Sequence, residues 1–218
     1  ESKDGCRLYY EADVAESPKA TLLFIHGFAE HCGRYRDMAS DLCEAGYSSF
    51  RVDLRGHGGS EGRRGHIYRF DEYVDDFEAL RAHAAVDLPD GCPVYVLAHS
   101  YGGLVGLHAL SRRPEGIAGY VMSSPFFGFK TKVPKWKTVV GRLLSEYIPA
   151  LSIPTNLDPS TVSHDPETIS EYATDPRIGR HASARWLTET EAAHASAGAA
   201  AARLEMPILL QMAGADQI

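Results

Sequence analysis

Ser100 stands in the run Leu97-Ala98-His99-Ser100-Tyr101-Gly102-Gly103, and its surroundings fit a serine used as a nucleophile. A serine hydroxyl attacks a carbonyl only when a base takes its proton. The attack creates an oxyanion, which needs donors already aimed at it. An apolar run, Val94-Tyr95-Val96-Leu97, precedes the serine, and a helix-like run, Leu104 to Leu110, follows it. That is the strand–turn–helix setting of a nucleophile elbow. The turn is sharp, so the positions two residues to either side must be small. Ala98 and Gly102 meet that demand, and Gly103 eases the helix start. Ala98 stands where the motif more usually carries glycine.

The oxyanion donors in such a site are two backbone N–H groups, one on the residue after the serine and one on the loop after an earlier strand. These are assigned to Tyr101 and, in His26-Gly27-Phe28, to Phe28. The His26 side chain is expected to brace its loop. On this architecture the acid follows the serine and precedes the histidine in chain order. Asp216, in Ala213-Gly214-Ala215-Asp216, fits that place. All ten histidines precede it. His99 adjoins the nucleophile but should point away from it, and His57 and His66 are expected to brace loops. The triad histidine is therefore not in this chain, and these 218 residues alone should be catalytically crippled.

The elements that must hold these residues alternate. Strands are expected at Leu8–Ala12, Thr21–Ile25, Tyr47–Val52, Val94–Leu97, Tyr120–Met122 and Pro207–Met212. Helices are expected from about Tyr35 to Ala45, Phe70 to Val86, Gly102 to Leu110 and Arg185 to Leu204. This rhythm predicts an α/β fold: a mostly parallel sheet with helices on both faces and its site at the carboxyl ends of the strands. The stretch from Phe126 to Ala184 breaks the rhythm with prolines and one amphipathic piece, Trp136 to Ile148. It reads as an inserted cap, whose apolar stripe is expected to form the cap's own core. The predicted division is a core in two parts, 1–125 and 185–218, with a cap at 126–184.

A chain of 218 residues, 44% hydrophobic, suits one globular domain with an insertion. The net charge of −7 does not favour nucleic acid or an anionic membrane surface as partner. Cys6, Cys32, Cys43 and Cys92 are scattered, which predicts reduced thiols in a cytoplasmic protein and neither zinc nor disulfides. Cys32 is expected to be reachable by thiol reagents. No apolar run approaches the roughly 20 residues that span a membrane. No metal or organic cofactor is implied, and oligomeric state is not legible.

Taken together, these motifs resemble the monoacylglycerol lipase and lysophospholipase group of serine α/β-hydrolases. His26-Gly27-Phe28-Ala29-Glu30-His31-Cys32-Gly33-Arg34-Tyr35 resembles its oxyanion loop. Asp53 to Gly62, continued by Arg64-Gly65-His66, resembles its second signature. Asp165-Pro166 and Asp175-Pro176 echo its cap-to-core segment, and Ala213 to Asp216 its acid motif. The resemblance implies hydrolysis of a small lipid-like ester through an acyl-enzyme on Ser100, with the acyl group under the cap. It makes Glu30, His31 and Arg34 candidates for the polar end of the substrate pocket; an i,i+4 ion pair between Glu30 and Arg34 is the competing reading. Phe126, Phe127, Phe129 and Trp136 suit either an acyl site or a buried cap interior. The resemblance also places the histidine loop, with a final strand and helix, after the acid, so the last strand here is expected to leave an edge exposed. Transient membrane contact through the cap is compatible with it. Two alternatives stay open: a non-catalytic ligand-binding protein on this fold, and a peptidase or thioesterase on the same scaffold.

Overall fold

Ala-Thr-Leu-Leu-Phe-Ile, residues 20–25, has no polar face, so as a strand it must be covered on both sides. It forms the heart of the sheet. The computed structural model describes residues 1–128, 135–155 and 157–214. Phe129, the Trp136 side chain and Asp216 lie outside the described residues. In chain order the elements are β1 (Tyr10–Asp13), β2 (Ala20–Ile25), α1 (Arg36–Glu44), β3 (Tyr47–Val52), α2 (Asp71–Asp87), β4 (Val94–His99), α3 (Tyr101–Leu110) and β5 (Gly119–Ser123). They continue with α4 (Lys135–Tyr147), β6 (Ser152–Pro154), α5 (Pro166–Thr174), β7 (His181–Ser183), α6 (Ala184–Ala201) and β8 (Ile208–Gln211).

The main sheet runs β1-β3-β2-β4-β5-β8. Only β1 is antiparallel to its neighbour; the other pairings are parallel. The register places Ile25 beside both Val52 and Ala98, and His99 beside Ser123. The carboxyl ends of β2, β3, β4 and β5 therefore open at one rim, where the loops carrying His26–Glu30, Asp53–His66 and Ser100 meet. Helix α3 is buried along its whole length, as its apolar sequence requires, and packs between α2 and α6. Helix α1 packs separately against β1 and β3. Among the described residues β1 and β8 are the two edges of the sheet, and all four residues of β8 are exposed.

Between β5 and α6 the chain builds α4, α5 and an antiparallel pair, β6 with β7. The short strands and α5 escaped sequence reasoning because proline-rich pieces of three to nine residues give no clear period. The expectation of a buried stripe on α4 is corrected. Val139, Val140, Leu143, Tyr147 and Ile148 are exposed, and α4 instead turns Ser145 onto Thr188 of α6, with Oγ and Oγ1 2.7 Å apart. No described helix is long and apolar enough to cross a membrane.

The loop after β3 is pinned by one buried ion pair. Arg55 donates from Nη2 to Asp76 Oδ1 at 2.6 Å, and its backbone N–H donates to Asp76 Oδ2 at 2.9 Å. Asp76, on α2, is fully buried. Asp76→Ala would take away the buried partner and leave the guanidinium only Asp4, whose Oδ2 accepts from Nη1 at 2.6 Å, and Glu72; it is expected to cost about 3 kcal/mol of stability, read by urea unfolding. His57 in the same loop is buried, with Nδ1 2.9 Å from the Arg55 carbonyl. Burial, reinforced by the neighbouring His26, lowers its pKa to about 3. The unfolded chain returns it to about 6.5. Between those values the unfolded state binds a proton that the folded state refuses, so stability falls on acidification. The expected outcome is a melting temperature that drops more steeply from about pH 6 to pH 4 in the wild type than in His57→Gln.

Candidate active site

Ser100 caps the end of β4 with φ 50° and ψ −118°, a backbone setting that few residues other than glycine adopt. Its neighbours enforce it. Its N–H donates to the Ser123 carbonyl at 2.9 Å, and its carbonyl accepts from Gly103 at 2.9 Å and Phe126 at 3.0 Å. A Cβ on Gly102 would lie 2.4 Å from the Ile25 carbonyl oxygen, so only glycine lets α3 start this close to β2. Ser100 is half-buried, and α3 begins at Tyr101, where helix N–H groups lack intrahelical acceptors. The sharp turn expected from the sequence is thus present, with the serine at its apex.

The loop after β2 runs beside the serine. A Cβ on Gly27 would sit 3.2 Å from Ser100 Cβ. Phe28, half-buried, follows at once. His26 braces this loop as expected: Leu54 N–H donates to its Nε2 at 3.0 Å, so its Nδ1 carries the proton given to the Gly27 carbonyl at 2.6 Å. Ala29 takes φ 68°, and its carbonyl accepts from Gly179 N–H at 2.6 Å. The chain returning from α5 therefore lies directly on this loop.

Glu30 is buried, and both of its oxygens are engaged. Oε1 accepts from Gly27 N–H and the Tyr35 hydroxyl, each at 2.6 Å, and Oε2 from Arg34. Burial alone would raise its pKa, but His99, Arg34 and His26 outweigh burial and hold it below the usual value. His31 is buried, with Nε2 2.9 Å from Asp175 Oδ2. Burial lowers the His31 pKa against the pull of Asp175, whose own carboxyl Arg177 and His31 keep well below the usual range. Arg34 is partly exposed and stacks over Tyr172, 5.0 Å from the ring centre. Cys32 is fully buried, its N–H donating to Asp53 Oδ1 at 2.6 Å, and burial pushes its thiol far up; the expectation of an accessible thiol is corrected.

Sequence reasoning missed Tyr172, Arg180 and Trp186. Arg180 also lies over Tyr172, its guanidinium 5.7 Å from the ring centre. Trp186 packs on Phe28 with ring centres 4.1 Å apart. No local pattern marks them, since each acts through partners distant in sequence. No described histidine is hydrogen-bonded to the Ser100 hydroxyl: His99 Nδ1 meets Ser123 Oγ at 3.3 Å, and His66 Nδ1 meets Ser183 Oγ at 2.8 Å.

Comparisons with known proteins place the fold and the family. The family model described as serine aminopeptidase, S33, matches residues 16–218. The monoacylglycerol lipase of Mycolicibacterium smegmatis is 34% identical over 175 residues, covering 80% of this chain and 62% of that protein. Phospholipase YtpA of Bacillus subtilis is 32% identical over 207 residues, covering 94% of this chain and 78% of that protein. The solved structure of the Paleococcus ferrophilus monoacylglycerol lipase superposes with a TM-score of 0.81 at 28% identity, covering 94% of this chain and 76% of that one. The chain thus spans less than two thirds of the length of the Mycolicibacterium relative. With an α/β-hydrolase sheet, a serine at its elbow and a family match over nearly its whole length, the chain belongs to the serine α/β-hydrolases of the S33 serine aminopeptidase family, the group that holds the monoacylglycerol lipases.

Proposed function

We propose that the protein is a serine carboxylester hydrolase acting on monoacylglycerol-like or lysophospholipid-like esters through an acyl-enzyme on Ser100. The observation that carries this reading is the half-buried Ser100 held at φ 50° beside the Gly27 loop. Ser100 Oγ attacks the acyl carbonyl, and its proton passes to a histidine base. The carbonyl oxygen, now negative, is met by the backbone N–H groups of Phe28 and Tyr101. The ester C–O bond breaks, and the alcohol leaves with the proton from the base. Water then repeats the sequence on the acyl-enzyme, releasing the acid and restoring Ser100. Asp216 orients the base and stabilises its cation. The base itself follows the acid in chain order on this fold.

Glu30 serves the reaction indirectly in this reading. Its carboxylate holds Gly27 N–H, and so the strand of loop that presents Phe28. Arg34, the partly exposed member of the trio, is left to face the polar end of the substrate. The core at 1–125 and 185–218 carries the chemistry, and the cap at 126–184 covers the acyl chain. The exposed apolar face of α4 supports brief contact of the cap with a lipid surface that holds the substrate.

The expected result is covalent labelling of Ser100 by a fluorophosphonate in the full-length protein, lost in Ser100→Ala together with hydrolysis of monoacylglycerol. A full-length protein that binds lipid yet neither labels nor turns over ester would be a binding protein instead. Faster cleavage of amides or thioesters than of esters across one substrate panel would shift the chemistry to a peptidase or thioesterase. Glu30→Ala, which frees Gly27 N–H, is expected to lower kcat by about 10²-fold, the scale of a lost oxyanion donor, in a steady-state ester assay.

A further inference from the structure

The two residues assigned to the oxyanion hole sit on separate elements, Phe28 on the loop after β2 and Tyr101 on the first turn of α3. No covalent geometry sets their spacing. Their side chains meet on one indole. The Trp186 ring lies 4.1 Å from Phe28 and 5.3 Å from Tyr101, at 34° to each, while the Phe28 and Tyr101 rings are themselves 5.8 Å apart. Trp186 and Tyr101 are buried, at 5% and 0% exposure, and Phe28 is half-buried. The same helix grips Tyr101 one turn further on, where the tyrosine hydroxyl meets Thr190 Oγ1 at 2.9 Å.

Trp186 is in turn placed from outside the helix. Ser183 caps α6 by accepting Trp186 N–H at 3.0 Å, and His66 Nδ1 meets the same hydroxyl at 2.8 Å. Ser183 N–H donates to the Gly65 carbonyl at 2.8 Å, and a Cβ on Gly65 would lie 2.1 Å from the His181 carbonyl oxygen. The start of α6 is therefore clamped to the loop after β3, and the indole has little freedom to shift.

We infer that Trp186 is a positioning residue that sets the spacing of the Phe28 and Tyr101 backbone donors by packing against both side chains. This rests on the esterase reading above. In this role the indole acts through the two donors. An oxyanion hole loses most of its value when a donor drifts by about 1 Å, so losing the indole should slow the chemical step and leave short-ester binding unchanged.

The test is steady-state hydrolysis of a short p-nitrophenyl ester by the full-length protein, with fluorophosphonate inactivation of Ser100 and thermal melting measured in parallel. Trp186→Leu is expected to lower kcat and the inactivation rate by about tenfold or more with KM nearly unchanged. Trp186→Phe, which keeps a flat ring between the two partners, is expected to recover most of that loss. Phe28→Ala removes the opposite half of the contact while keeping its own N–H, and should show the same loss of kcat, so the inference is tested even if Trp186→Leu fails to fold. Wild-type kcat in a folded Trp186→Leu protein overturns the inference, as does a change confined to KM, which would make the indole a wall of the substrate site. A wild-type protein that is itself inert to the probe and the ester sinks the esterase reading and this inference with it. An active wild type with an unaltered variant sinks the inference alone.

Discussion

Ser100 occupies a left-handed backbone conformation that costs a non-glycine residue on the order of 1–3 kcal/mol, and the structure around it is arranged to hold it there. Three backbone hydrogen bonds fix the residue: one from its N–H to β5, one from Gly103, and one from Phe126 at the start of the cap segment. The fit of Gly102 under the Ile25 and His26 carbonyls then locks α3 to β2. The strain presents a hydroxyl at the tip of a turn, with a helix start on one side and the Gly27 loop on the other. It also makes the site depend on parts of the chain far from it in sequence.

The loop after β2 shows the same dependence in another form. Its left-handed Ala29 is held by Gly179, its His31 by Asp175, and its Arg34 by the ring of Tyr172, all on the chain that returns from α5. Glu30 closes the loop on itself through Gly27 and Tyr35. A buried carboxylate in this position is tolerable because it accepts three hydrogen bonds, one from a guanidinium. The chain returning from α5 is thus part of the scaffold of the loop after β2.

The legibility of the sequence follows from the range of the forces involved. Strand β2 could be placed to within one residue because an unbroken apolar run must be buried on both faces, and that demand is local. The turn at Ser100 could be read because small residues at fixed offsets are a local requirement as well. The parts that could not be read depend on distant partners. Glu30 and His31 are residue types that serve a pocket or a brace equally well; Asp175, 144 residues from His31, decides how that ring is held. Cys32 lies in a loop motif, yet it is sealed in by the chain around Asp53. Periodicity on α4 gave an apolar face correctly but could not say that nothing described covers it.

Helices α4 and α6 differ in what their amphipathic patterns achieve. Alanines at 193, 197 and 200 bring α6 close to the core, and its first turn, capped by Ser183, carries Trp186. Its second contact, Thr190 on the Tyr101 hydroxyl, satisfies a buried phenol that burial has pushed far up in pKa. Helix α4 meets α6 through Ser145 and Thr188, while its Val139, Val140 and Leu143 are exposed. A close, small-residue contact on one side and exposed apolar side chains on the other are opposite uses of the same helical period. The first holds Trp186 and Thr190 against Tyr101, the residue after Ser100; the second leaves Val139, Val140 and Leu143 exposed.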